Sequence, residues 1–196
     1  MYFETDRVYH IYNRSNETTF INRENYLYFL KKVNVLIKPY VEVLSWCLMP
    51  NHFHFLVLAN EEACRLIDEP HRPNVQILSK NIGTLLSSYT RAFNKHKSRK
   101  GSLFVHNTLS KCLNEAPNNA EFLSNCIHYI HQNPLRAGLC EDISDYEYSS
   151  SPDYANTRNG QLVNKELAYE MLGLTAKEFK QQTEVCVNEA KVKGLF

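Results

Sequence analysis

His52 and His54 stand two residues apart in the run Met49-Pro50-Asn51-His52-Phe53-His54-Phe55. A neutral imidazole offers a nitrogen lone pair, so such a pair can ligate a metal ion; it can equally be two buried structural residues. If Phe53 to Ala59 forms a strand, side chains at i and i+2 leave the same face. His52 and His54 then point together, and Phe53 and Phe55 point the other way. Pro50-Asn51 is a turn signal that ends the preceding apolar run, Val41 to Met49. The pair is therefore expected at the mouth of a hairpin. Two ligands do not complete a site, and the remaining chemistry must come from elsewhere in the chain.

A second cluster lies in the segment Phe122 to Pro134. Helical periodicity over about 118–133 puts Phe122, Leu123, Cys126, Ile127 and Ile130 on one face. Tyr129 and Asn133, four residues apart, run along an edge of it. Pro134 disfavours helical geometry at the residue before it, which places the pair in the last turn. A phenol is a nucleophile and an amide oxygen is a metal ligand, but Tyr129 is one of twelve tyrosines. Tyr89 is its rival, and its place among Leu85, Leu86 and Phe93 reads as core packing. His128 and His131 are near enough in sequence to assist proton transfer, with surface or capping roles as the alternative.

Charge is distributed unevenly. Between Pro70 and Asn114 there is no Asp or Glu, yet there are eight Lys or Arg, so this stretch carries +8 within a chain of net charge +1. Such asymmetry fits a polyanionic partner held by one region, or a solvated basic helix end. Arg91, Lys95, Lys97, Arg99 and Lys100 are the preferred phosphate-binding residues, with Lys111 and Arg136 as extensions. Phosphate contacts fix register and make affinity salt-dependent, whereas sequence choice needs base contacts.

The elements that must position these groups follow from periodicity. Arg7 to Arg14 alternates as a strand, and Arg23 to Ile37 repeats apolar residues at helical spacing after Asn16 or Asn22 as a cap. Val41–Met49 and Phe53–Ala59 form the hairpin, and 60–73 reads as a loop. A long helix is expected over about 75–95, and Ser102 to Thr108 as a short strand. Tyr146 and Tyr148 lie in a coil packed on the core, followed by short helices at Lys165–Leu172 and Thr175–Lys191. The order strand, helix, strand, strand, helix, strand predicts an α+β chain with a ferredoxin-like (split βαβ) sheet covered by helices on one face. Residues 1–152 form the expected main domain and 153–196 a small helical C-terminal extension.

At 196 residues with 43% hydrophobic content the chain can bury one good core. No apolar stretch approaches the ~18–20 residues of a membrane span, and the first residues lack a signal pattern, so a cytoplasmic location is expected. The six cysteines are scattered without a C-x-x-C pair, which argues for reduced thiols and against a zinc ribbon.

The two motifs and a following Tyr148-Ser149-Ser150 resemble the HUH single-tyrosine transposases, most closely the REP-associated tyrosine transposase branch. The resemblance spans roughly residues 8–152. It implies a nucleophilic Tyr129 in Tyr129-Ile130-His131-Gln132-Asn133-Pro134, and a divalent metal, Mg²⁺ or Mn²⁺, held by His52, His54 and Asn133. It also implies nicking and joining of single-stranded DNA with hairpin structure through a 5′-phosphotyrosine, by a monomer or a homodimer. A free phenol has a pKa near ~10, so polarisation of the phosphate matters most. Position 106 is a histidine where relatives often carry glutamine, which leaves its role open. The alternative on the same fold is a non-catalytic nucleic-acid-binding module. A hydrolase using activated water would instead cleave without becoming attached.

Overall fold

A computed structural model describes residues 1–67, 74–105, 107–114 and 119–183. Four antiparallel strands, β1 (Val8–Arg14), β2 (Val41–Met49), β3 (His52–Ala59) and β4 (Leu109–Cys112), form one sheet in the order β2-β3-β1-β4. That order, with α1 (Arg23–Leu36) after β1 and a long helix after β3, is the expected split βαβ arrangement. Asn22 caps α1 by accepting a hydrogen bond from the Asn25 amide. A single-turn helix, α2 (Glu61–Cys64), occupies part of the expected loop at 60–73, whose residues 68–73 lie outside the described residues. The long helix is α3 (Ile77–His96).

The alternation of β3 divides two cores. Phe53, Phe55, Val57 and Ala59 face α1 and α3, where Phe29, Val33, Leu78, Ile82, Leu85, Tyr89 and Phe93 complete an aromatic-rich core. Leu56 faces the opposite side, where it meets α4 (Asn119–Arg136) through Leu123, Cys126, Ile127 and Ile130. Helices thus cover one face as expected, and α4 additionally covers part of the other, packing mainly against β2. A β-bulge between Val43 and Ser45 shifts the register of β2. Before it Val41 and Val43 face the first core; after it Trp46 and Leu48 do, while Cys47 and Met49 face α4.

Three sequence expectations shift. The last strand forms at Leu109–Cys112 rather than Ser102–Thr108, although Phe104 makes an isolated bridge to Ser15 and the Val105 amide donates to the Arg14 carbonyl at 2.9 Å. The bulky apolar pair Leu103-Phe104 goes into the core, and the ladder to β1 resumes only beyond it. Second, α4 runs through Pro134 to Arg136. The proline removes one amide near the helix end, and Gly138, at φ +68°, then closes the helix with Gly138 and Leu139 amides on the Leu135 and Pro134 carbonyls. Third, the expected boundary after residue 152 falls inside α5 (Ser151–Tyr154).

Beyond that point the chain keeps contributing to the second core. Tyr154, Ala168 of α6 (Lys165–Leu172) and Phe179 of α7 (Ala176–Thr183) all join it. Residues of the expected last helix beyond 183 lie outside the described residues. The coil at 146–150 runs along β2: Leu48 donates to the Tyr148 carbonyl, Ser150 to the Trp46 carbonyl, and Tyr146 Oη to the Leu48 carbonyl at 2.9 Å. Tyr148 stacks on Tyr26 at 3.5 Å between ring centroids, as expected of tyrosines packed on the core. Among the described residues no helix is long and apolar enough to cross a membrane. Cys47, Cys64, Cys112, Cys126 and Cys140 are unbridged.

Candidate active site

The hairpin places both histidines as the spacing predicts, on the face of β3 opposite Phe53 and Phe55. Their ring centroids are 5.1 Å apart and nearly perpendicular. The facing residues come from β1, where Tyr12 pairs with His54 and Arg14 with His52. From the other side α4 delivers Tyr129, whose ring stands edge-on to His54 at 6.4 Å between centroids. Tyr129 and His54, more than 70 residues apart in sequence, thus meet at one point.

Burial and charge set the protonation of the pair. Burial, aided by the Arg14 guanidinium, lowers the His52 pKa to about 4. Burial also holds His54 well below the usual histidine range, with His10 and His52 adding to the effect. Both imidazoles are therefore neutral at pH 7 and keep a lone pair for a cation. His52 Nδ1 lies 2.7 Å from Asn51 Oδ1, and His54 Nδ1 lies 2.9 Å from His10 Nε2. With Nδ1 engaged in each ring, Nε2 is the atom that could ligate a cation.

Asn133 sits one turn beyond Tyr129 and uses Nδ2 to donate to the Tyr129 carbonyl at 2.9 Å, so Oδ1 is the atom with lone pairs to offer. Among the described residues no group of three or more His, Cys, Asp or Glu is arranged to hold a metal. A divalent ion at the histidine pair must complete its shell with amide, phosphate or water oxygens, which is what Mg²⁺ and Mn²⁺ favour. The donor set fits such an ion.

The cations divide into two groups. Lys111, exposed on β4, pairs with His10 and so shares the histidine face, and Arg14 joins it from β1. Arg136 lies over the Tyr129 ring, with Cζ 5.2 Å from the centroid. Arg91, Lys95, Lys97 and Lys100 are exposed on and after α3, in the layer against the opposite sheet face. Their chain leads through Gly101 to Phe104 and Val105, which join β1 at Ser15 and Arg14, beside His52. Arg99 stands apart: it bonds Glu17 at 2.8 Å and Asn94 at 2.8 Å and ties the loop after α3 to the body.

The bland readings also separate. Tyr89 is buried, and its hydroxyl donates to the Thr19 carbonyl at 3.0 Å, which makes it a core residue. His128 and His131 are neither surface nor capping residues. They are buried on the far side of α4, packed on Phe179 and Tyr154 respectively. His106 lies outside the described residues. Sequence reasoning missed His10, Tyr12, Arg14 and Asn51. The alternation of β1 puts His10, Tyr12 and Arg14 on one face, but it does not say that β1 lies beside β3.

No protein-family model matches the chain. A curated Haemophilus influenzae protein, provisionally named a REP-associated tyrosine transposase, is 25% identical over 111 residues, which span 56% of this chain and 58% of that protein. A solved structure of a REP-associated tyrosine transposase bound to a REP hairpin superposes with a TM-score of 0.55 at 13% identity, covering 84% of this chain and 92% of the other. In sequence and fold the chain is similar to REP-associated tyrosine transposases. The resemblance carried by the histidine and tyrosine motifs is therefore supported by two independent likenesses. The curated match spans less than two thirds of that protein's length.

Proposed function

We propose that this protein is a metal-dependent enzyme that nicks and rejoins single-stranded DNA carrying a hairpin, with Tyr129 as nucleophile. The observation that carries this reading is the approach of Tyr129 to His54 at 6.4 Å, on the sheet face that also holds His52. His52 and His54 through Nε2, with Asn133 through Oδ1, would hold Mg²⁺ or Mn²⁺. Bound there, the ion would polarise the scissile phosphate and stabilise the 3′-oxygen as it leaves.

The chain's own residues do the rest. Tyr129 Oη forms a bond to phosphorus as the bond from phosphorus to the 3′-oxygen breaks. The phenol loses its proton and the 3′-oxygen gains one, which leaves a 5′-phosphotyrosine and a free 3′-OH. Because the phosphodiester energy is kept in the covalent link, rejoining needs no ATP. Arg136 over the Tyr129 ring brings a cation to the face of the nucleophile's ring, where it can also meet the DNA backbone. Lys111 and Arg14 extend the positive surface along the sheet.

Tyr12 is the internal control. Its ring is 5.9 Å from His54, as near as Tyr129, but it is stacked parallel on His10 and His54, and burial raises its pKa. Incubation with hairpin oligonucleotides and Mn²⁺, followed by a denaturing gel, should retain a protein–DNA adduct. Tyr129→Phe should abolish the adduct and Tyr12→Phe should keep it. His52→Ala should weaken metal-dependent cleavage with less effect on DNA binding. A Tyr129→Phe protein that still forms adduct sinks the assignment. Salt-sensitive DNA binding with neither adduct nor metal dependence would favour a non-catalytic binding module.

A further inference from the structure

His10 stands behind the histidine pair. It is fully buried on β1, and its Nε2 lies 2.9 Å from His54 Nδ1, the two rings nearly parallel at 5.1 Å between centroids. That contact decides which atom of His54 can act. A nitrogen already within hydrogen-bond distance of another ring nitrogen has no room for an ion, so ligation must use Nε2. A neutral imidazole that lends its Nε2 lone pair carries its proton on Nδ1. That proton needs an acceptor, and His10 Nε2 is the atom in position.

We infer that His10 is a positioning residue: it accepts a hydrogen bond from His54 Nδ1–H and so fixes the tautomer and ring orientation that present His54 Nε2 to the divalent cation. The inference rests on the metal site proposed above. A parallel arrangement at His52 supports it. Asn51 Oδ1, 2.7 Å from His52 Nδ1, is an acceptor only, so that ring too carries its proton on Nδ1. Two different acceptors, an amide oxygen and an imidazole nitrogen, set both ligands to one tautomer. Packing alone does not explain His10. An apolar side chain beside Tyr12 and His54 would offer no lone pair to His54 Nδ1.

The test has two arms. In the first, Mn²⁺ is titrated into full-length protein and followed by electron paramagnetic resonance. His10→Phe should weaken Mn²⁺ binding by about 10–100-fold, the usual effect of removing a ligand's supporting partner. His10→Gln, whose Oε1 can accept where Nε2 stood, should recover most of that loss. In the second, ¹⁵N-histidine NMR of the Mg²⁺-loaded wild type should show His54 protonated at Nδ1 and bare at Nε2, a readout that needs no variant. A folded His10→Phe protein that binds Mn²⁺ like the wild type overturns the positioning role alone. So does a loaded His54 that carries its proton on Nε2. A wild type that takes up no Mn²⁺ overturns the metal site itself, and this inference with it.

Discussion

Replacing His128 by phenylalanine should flatten the acid limb of the protein's stability curve. His128 is 3% exposed, stacks on Phe179 at 4.5 Å, and has Thr183 Oγ1 3.3 Å from Nδ1. Burial lowers its pKa from 6.5 to about 4, against a smaller opposing effect of Gln182. A histidine held neutral in the fold contributes stability that is fully present above the unfolded pKa and is lost as pH falls toward the folded one. Between pH 7 and pH 5 the unfolded chain takes up nearly one proton that the folded chain refuses. By linkage that amounts to about 2 kcal/mol. Phenylalanine keeps the stack on Phe179 and has nothing to titrate, at the cost of the polar contacts with Thr183 and Gln182, together worth about 1–2 kcal/mol. Urea unfolding at pH 7, 6 and 5 measures it. The variant should be slightly less stable at pH 7 yet lose about 2 kcal/mol less than wild type on going to pH 5. Equal losses in both proteins would refute the claim that α7 keeps His128 dry and neutral.

Gly160→Ala should cost about 2–3 kcal/mol in thermal or urea unfolding, because a Cβ there would sit 2.8 Å from Asp153 Oδ1. That carboxylate cannot yield, being held by Arg158 at 2.6 and 2.9 Å and by the Gly160 amide at 2.8 Å. Arg14→Gln and Lys111→Gln should each lower the slope of log affinity against log salt for hairpin DNA by roughly 0.7–0.9, one phosphate's worth. Arg99→Gln should leave that slope unchanged and instead lower stability, since its partners Glu17 and Asn94 belong to the protein.

The histidine pair was legible because two local rules agreed: a turn at Pro50-Asn51 and strict alternation through Phe53 and Phe55. That Tyr129 and Asn133 lie one turn apart was legible from a strongly periodic helix, while the roles proposed for them come from the resemblance. Elements whose signal is tertiary were harder to read. Leu103 and Phe104 carry strand-forming residues, but core burial rather than ladder pairing took them, and β4 formed from the more polar Leu109–Cys112. The C-terminal helices looked like an appendage because their own apolar faces are short. Their burial comes from Cys126, Ile127 and Ile130 of α4, which no local pattern in 153–183 encodes. His10 could not be assigned a role without knowing that β1 and β3 are neighbours.

The bulge at Leu44 has a consequence for how this chain can change. It converts an odd-numbered inner face into an even-numbered one midway along β2, as a single skipped beat shifts every later one. Substitutions around it alter one contact each. Loss of Leu44 would leave Val43, Ser45 and Trp46 in plain alternation, with Trp46 and Leu48 still on the first core and Cys47 and Met49 still toward α4. Loss of one residue beyond the bulge would instead exchange the two sets and carry α4 and its tyrosine off their seat. Length beyond the bulge should thus be guarded more strictly than composition, and deletion scanning across Val41–Met49 should find loss of Leu44 better tolerated than loss of Trp46, Cys47 or Leu48.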